Sequence, residues 1–117
     1  MLDAPIYHIC RRSDWQAPGN PGVYAGPSDA ESEDFLHFST REQVVESAAR
    51  HWAGVDGLVL LTVDAGRLGT SLRWEPSRGG VLFPHLYGSL PRAAVLAVDD
   101  LPLASDGIHV FPALDKH

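Results

Sequence analysis

Side chains able to bind or react crowd into one short stretch, Leu72 to Gly88, which reads LRWEPSRGGVLFPHLYG. Arg73, Trp74, Glu75, Arg78, His85 and Tyr87 lie in or beside the turn Pro76-Ser77-Arg78-Gly79-Gly80. A hydrophobic core uses few of these residue types, whereas a binding cleft uses most of them. A carboxylate can polarise a sugar hydroxyl or face a developing positive charge, and an aromatic ring can stack on a base. Two further polar groups could face this one: His8, and His37 with Ser39-Thr40. Glu75 has a plainer alternative as a cleft-edge ion pair with Arg73 or Arg78, and both readings stand. Trp74 is expected in the core.

These groups need elements to carry them. Pro5 to Cys10 reads as a first strand, with Ile6, His8 and Cys10 on one face and Tyr7 and Ile9 on the other. His8 is then either a core histidine with a satisfied ring or a ligand on a cleft wall. Ser13-Asp14-Trp15 reads as a capped helical turn ended by Pro18-Gly19, and a short strand fits around Val23 and Tyr24, with Tyr24 packed. The acidic remainder of residues 18–34 reads as a loop. Phe35 to Ser39 is the next strand, with Leu36 and Phe38 on one face and His37 and Ser39 on the other.

A helix follows from Arg41 to about Ala53, with a stripe of Val44, Val45, Ala48, Ala49 and Trp52. Two overlapping capping patterns mark its start, Ser39 with Glu42 and Thr40 with Gln43, so capping alone accounts for one of the two hydroxyls. Gly57 to Asp64 is a near-continuous apolar run, as expected of a central strand buried on both faces. Asp64 to Gly69 reads as a turn or a short helical connection. Leu72 to Glu75 is a strand whose pairing Pro76 should end, followed by a flexible turn whose glycines permit close backbone approach. Val81 to Tyr87 is a strand that Pro84 places near an edge or a bulge, with Phe83, His85 and Tyr87 on one face. Ala93 to Val98 reads as a final, well-buried strand. The tail is irregular, with a short strand at Ile108 to Phe111. One strand-dominated α+β domain spanning residues 1–117 is the result.

Composition removes several function classes. The chain has 117 residues, 44% hydrophobic, with fifteen Asp and Glu against nine Lys and Arg, net −6. A nonspecific nucleic-acid binder needs a basic stripe, and none is visible. A few arginines could still hold one phosphorylated ligand locally. The single Cys10 fits a reducing cytoplasm, and the N-terminus lacks a charged-then-apolar signal pattern, so a cytoplasmic protein with no membrane role is expected. Six histidines raise the question of a metal. No helical His-x-x-x-His or HExxH spacing occurs, and a site from His8, His37, His85 and Glu75 would need tertiary folding, so no metal is expected. A Gly-x-Ser-x-Gly elbow, a P-loop and a Gly-x-Gly-x-x-Gly fingerprint are absent.

Taken together, YHI near the start, FLHFST before the helix, LVLLTVD, LRWE, FPHLYG and AVLAV resemble the bacterial domain-of-unknown-function family 952 over nearly the whole chain. The resemblance implies an ADP-ribosyltransferase-like fold: two small, mostly antiparallel sheets forming a cleft that grips NAD, with one main helix after the second strand. It also implies NAD as substrate, with His8 as the first-strand contact. Phe38-Ser39-Thr40 would be the second-strand element, with Arg41 standing where the pattern has its last serine. Glu75 would be the catalytic glutamate acting on the nicotinamide ribose. The expected ligand contacts are His8, His37, Ser39, Thr40, Arg73, Arg78, His85 and Tyr87. The rival expectation is a non-catalytic module binding a small ligand or protein partner in the same cleft, with Arg73 and Arg78 as anion contacts.

Overall fold

The most apolar run of the chain sets the architecture. In the computed structural model, which describes residues 5–16, 22–24 and 35–114, strand β4 (Leu58–Val63) is buried at every position. It lies between β1 (Ile6–Arg11) and β8 (Val95–Leu101) in a three-stranded antiparallel sheet. Each fully buried leucine of this strand contributes roughly 1.5–3 kcal/mol. Both of its faces must therefore be covered, and two different layers do so.

On one face, Tyr7, Ile9, Leu58, Leu60 and Leu101 pack against Val44 and Ala48 of helix α2 (Arg41–His51). The helix buries Val44, Ser47 and Ala48, while Val45 is 53% exposed and Ala49 also faces out. The apolar stripe expected from the sequence is thus rotated by about one position toward Ser47. Thr40 is the N-cap, and its N–H donates to Gln43 Oε1 at 3.0 Å. Gln43 Nε2 also donates to the Leu82 carbonyl at 2.8 Å, tying the start of the helix to the second sheet.

The other face carries Ile6, Cys10, Val59, Leu61 and Val63. It is covered by Leu36, Phe38 and Leu86 from a second antiparallel sheet of β3 (Leu36–His37), β6 (Val81–Leu86) and β5 (Leu72–Ser77). Tyr24 of β2 (Val23–Tyr24) and Leu90 of β7 (Leu90–Pro91), which form a two-stranded ladder, complete that layer. The two larger sheets join where Tyr7 and Ser39 exchange backbone N–H···O bonds of 2.8 Å. The protein is α+β, with small antiparallel sheets and one main helix. No helix among the described residues is long and apolar enough to cross a membrane.

Several expectations need correction. The first helical turn, α1 (Arg12–Trp15), starts one residue before Ser13, and Arg11 at its N-cap position makes no side-chain capping bond. Pairing of β5 continues through Pro76 and Ser77, opposite Leu82 and Val81. Proline is tolerated there because β5 is an edge strand. Gly79 and Gly80 serve the hairpin turn itself, with φ of 72° and 84° that only glycine adopts readily. Conversely, β6 is the central strand of its sheet despite Pro84, whose carbonyl still accepts from the Phe38 N–H at 3.0 Å. The last strand is an edge strand that alternates, leaving Leu96 and Val98 48% and 43% exposed. In the tail, Leu103 and His109 form an isolated bridge. Pro18-Gly19 and the acidic loop of residues 25–34 lie outside the described residues.

Candidate functional site

Strand alternation divides the β3–β6–β5 sheet into an apolar inner face and a polar, aromatic outer one. Leu36, Leu86 and Leu72 form one cross-strand row, turned toward the core. The next row, His37, His85 and Arg73, is in register across all three strands and faces the other way. Phe35 and Tyr87 continue that face, and Glu75 sits opposite Phe83.

Glu75 is the hub. His85 Nδ1–H donates to its Oε1 at 2.9 Å, and the Tyr87 hydroxyl donates to the same oxygen at 2.7 Å. An ionised carboxylate only accepts, which fixes the proton on Nδ1 of the His85 ring. Among the described residues no hydrogen bond reaches Oε2. The Tyr87 and His85 bonds hold the Glu75 carboxyl below the usual carboxylate range, so it is ionised at neutral pH. Rings surround it. Phe35 stacks on His85 at 4.2 Å between centres, meets His37 edge-on at 4.8 Å, and lies 5.2 Å from Tyr87. The Arg73 guanidinium lies over the Tyr87 ring at 5.1 Å. His85 itself is buried, whereas the Glu75 side chain is one-third exposed.

The structure brings Glu75, His37, Arg73, His85 and Tyr87 together, and it separates His8, Ser39 and Thr40 from them. His8 is 4% exposed, on the inner side of β1. Its Nδ1–H donates to the His37 carbonyl at 2.7 Å, and its Nε2 accepts from the Tyr24 hydroxyl at 3.3 Å. Burial drives its pKa down to about 4, against the opposing pull of the His37 carbonyl bond. A neutral ring with both nitrogens engaged braces β3 from beneath; as placed, it does not reach a ligand on the outer face. Ser39 is also buried, with its hydroxyl 2.7 Å from that of Ser47 on α2. It faces a different environment from His37 because the chain leaves β6 at Phe38 and crosses to the edge of β1. Thr40 is occupied at the helix N-cap. The Arg78 side chain lies outside what is described.

Two further residues depart from their expected places. Trp74 is 47% exposed, not in the core; it points away from Glu75 and lines an open hollow with Pro5, Ile6, Ala65 and Leu72. Phe35, which the sequence reading passed over as a site residue, belongs to the ring cluster. Its signal was there to read, since it alternates with His37 at i, i+2. Cys10 is fully buried, and burial raises its thiol pKa to about 11, which makes it unreactive packing. Among the described residues no three His, Cys, Asp or Glu side chains converge as metal ligands.

Comparisons with known proteins add the following. A family model described as "Protein of unknown function (DUF952)" matches residues 9–98. The crystal structure of protein CC0527 from Caulobacter crescentus is 41% identical, covering 92% of this chain and 94% of that one with a TM-score of 0.84. Its solution NMR structure gives 42% identity, 89% and 90% coverage and a TM-score of 0.76. No curated protein matches the chain.

Proposed function

This chain belongs to the family described as protein of unknown function (DUF952), and from the geometry of its outer sheet face we propose that it binds NAD or a related nucleotide there, with Glu75 placed for ADP-ribosyltransferase-like glycosyl chemistry. The observation that carries the reading is the fixed carboxylate. Glu75 is held at Oε1 by two donors, is ionised, is partly exposed, and has aromatic rings beside it.

An ionised Glu75 is a poor proton donor but a good acceptor for a ribose hydroxyl and a good counter-charge. In the proposed step the bond from ribose C1′ to the nicotinamide nitrogen breaks, and its electron pair leaves with nicotinamide. Positive charge then develops on the ribose, where a preorganised carboxylate stabilises it without reorganising. Water or an acceptor hydroxyl closes on C1′, releasing its proton to solvent. The Tyr87 and Phe35 rings offer stacking surface, and the exposed Arg73 is within reach of a phosphate near the same site. Beneath the site His8 ties β1 to β3, Gln43 ties α2 to β6, and Ser39 is held to Ser47 of α2.

Incubation with NAD, read by thermal shift and by chromatography of the products, tests the proposal. Ligand at a hundred times its dissociation constant should add about 2.7 kcal/mol of stability, with free nicotinamide accumulating. Stabilisation without nicotinamide release would move the protein to the non-catalytic binding module. No stabilisation by NAD or related nucleotides at millimolar concentration would end the nucleotide reading.

A further inference from the structure

His85 carries an atom that the hub leaves unused. Its Nδ1 holds the proton given to Glu75 Oε1 at 2.9 Å, so Nε2 keeps a lone pair in the plane of the ring. No hydrogen bond among the described residues reaches that nitrogen. Phe35, stacked at 4.2 Å, covers the flat face of the ring and not the edge where the lone pair lies. The side chain is 6% exposed, which admits a water to that edge but not a macromolecular acceptor. His8 differs on this point, since both of its ring nitrogens are engaged. A carboxylate on one nitrogen of a histidine fixes the tautomer and is the counter-charge when the other nitrogen takes a proton. The groups facing His85 are Glu75 and Arg73 from β5, His37 from β3, and Tyr87. Arg73 is in register opposite His85 but turns its guanidinium over the Tyr87 ring, so the charged group bonded to the imidazole is the carboxylate.

We propose that His85 Nε2 is the general base of this site and that the acceptor it serves is water. The inference rests on the nucleotide reading above and adds the route of the proton and the class of acceptor. As the water oxygen forms its bond to ribose C1′, the bond from C1′ to the nicotinamide nitrogen breaks, and nicotinamide leaves with the electron pair. One water proton passes to Nε2, which makes His85 transiently cationic beside Glu75, and from there to solvent. The products are nicotinamide, ADP-ribose and one proton. A base in this position contributes roughly a hundredfold or more to the rate.

The test compares water with added azide as the acceptor from NAD, using the full chain as wild type and as His85→Gln. Azide bonds to C1′ without giving up a proton, so it bypasses a base while still needing the rest of the site. In His85→Gln hydrolysis should fall about a hundredfold, while formation of the ADP-ribosyl azide stays close to wild type. In the wild type, hydrolysis should rise with pH as the imidazole loses its proton, and azide capture should not. A His85→Gln variant that hydrolyses NAD like wild type, or loses azide capture by the same factor as hydrolysis, would overturn the assignment. Should that variant not fold, the wild-type profiles decide, and one pH profile shared by both acceptors would overturn it. Each of these results leaves the nucleotide reading standing, because NAD is still turned over. NAD that neither binds nor reacts would end both.

Discussion

Lowering the pH from 7 to 4 should cost the wild-type protein about 3 kcal/mol of stability that a His8→Gln variant does not lose. The cause is His8, whose pKa burial drives from the ordinary 6.5 down to about 4. Between those two values the unfolded chain takes up a proton at this position and the folded chain does not. Protons therefore favour unfolding throughout that window. The contribution is fully present above pH 6.5, falls steadily toward pH 4, and is constant below that. Glutamine cannot titrate, and its amide offers a donor and an acceptor as the neutral imidazole does. Urea unfolding at several pH values, performed on both proteins, gives the two slopes. Parallel slopes across that range would mean that His8 is not the buried neutral brace described here.

Glu75→Gln should reduce nicotinamide release on the order of a hundredfold or more, while weakening NAD binding only about tenfold. The asymmetry follows from where the charge matters. In the proposed ground-state complex the carboxylate would face a pyridinium that the rings also hold. In the proposed transition state the positive charge would spread onto the ribose, with the carboxylate as its fixed counter-charge. Glutamine keeps an acceptor oxygen for Tyr87 and His85, so the hub should survive the change. Single-turnover kinetics alongside equilibrium binding separates the two effects. A variant with wild-type turnover would strip Glu75 of the catalytic role and favour the binding-module alternative.

Much of the fold was legible because it depends on local periodicity. The unbroken apolar run at Leu58–Val63 required cover on both faces, and it is the central strand. The alternation of Ile6, His8 and Cys10 against Tyr7 and Ile9 matched the two core clusters, with His8 on the inner side. What stayed hidden depended on neighbours distant in the chain. Pro84 suggests an edge when read alone, but β3 is only two residues long and asks little of β6 beyond it. Ala93 to Val98 is as apolar as a buried strand, yet nothing among the described residues pairs with the outer edge of β8, and Leu96 and Val98 remain half-exposed.

The site divides in the same way. Alternation put Arg73 with Glu75 on one face of β5 and His85 with Tyr87 on one face of the following strand, and the hairpin register, which alternation does not give, brings the two pairs together. His8 and Ser39 come from other strands, and their facing depends on how the two sheets pack. No spacing rule could report that His8 would turn inward beneath His37, or that Ser39 would meet Ser47. The resemblance that tied His8, Ser39 and Glu75 to one ligand therefore reaches this chain with its polar groups divided between scaffold and surface.

The central claim is that the proposed ligand binds on the Glu75 face of the β3–β6–β5 sheet. Titration of the isotopically labelled protein with oxidised NAD, followed by amide and aromatic NMR shifts, tests this most directly. Shifts should concentrate at Phe35 and His37, Arg73 and Glu75, and Phe83 to Tyr87, with His8 and Ser39 following only weakly through the shared backbone. Shifts centred instead on the hollow of Pro5, Ala65 and Trp74, on the opposite side of β5, would contradict the account, as would a spectrum that does not move.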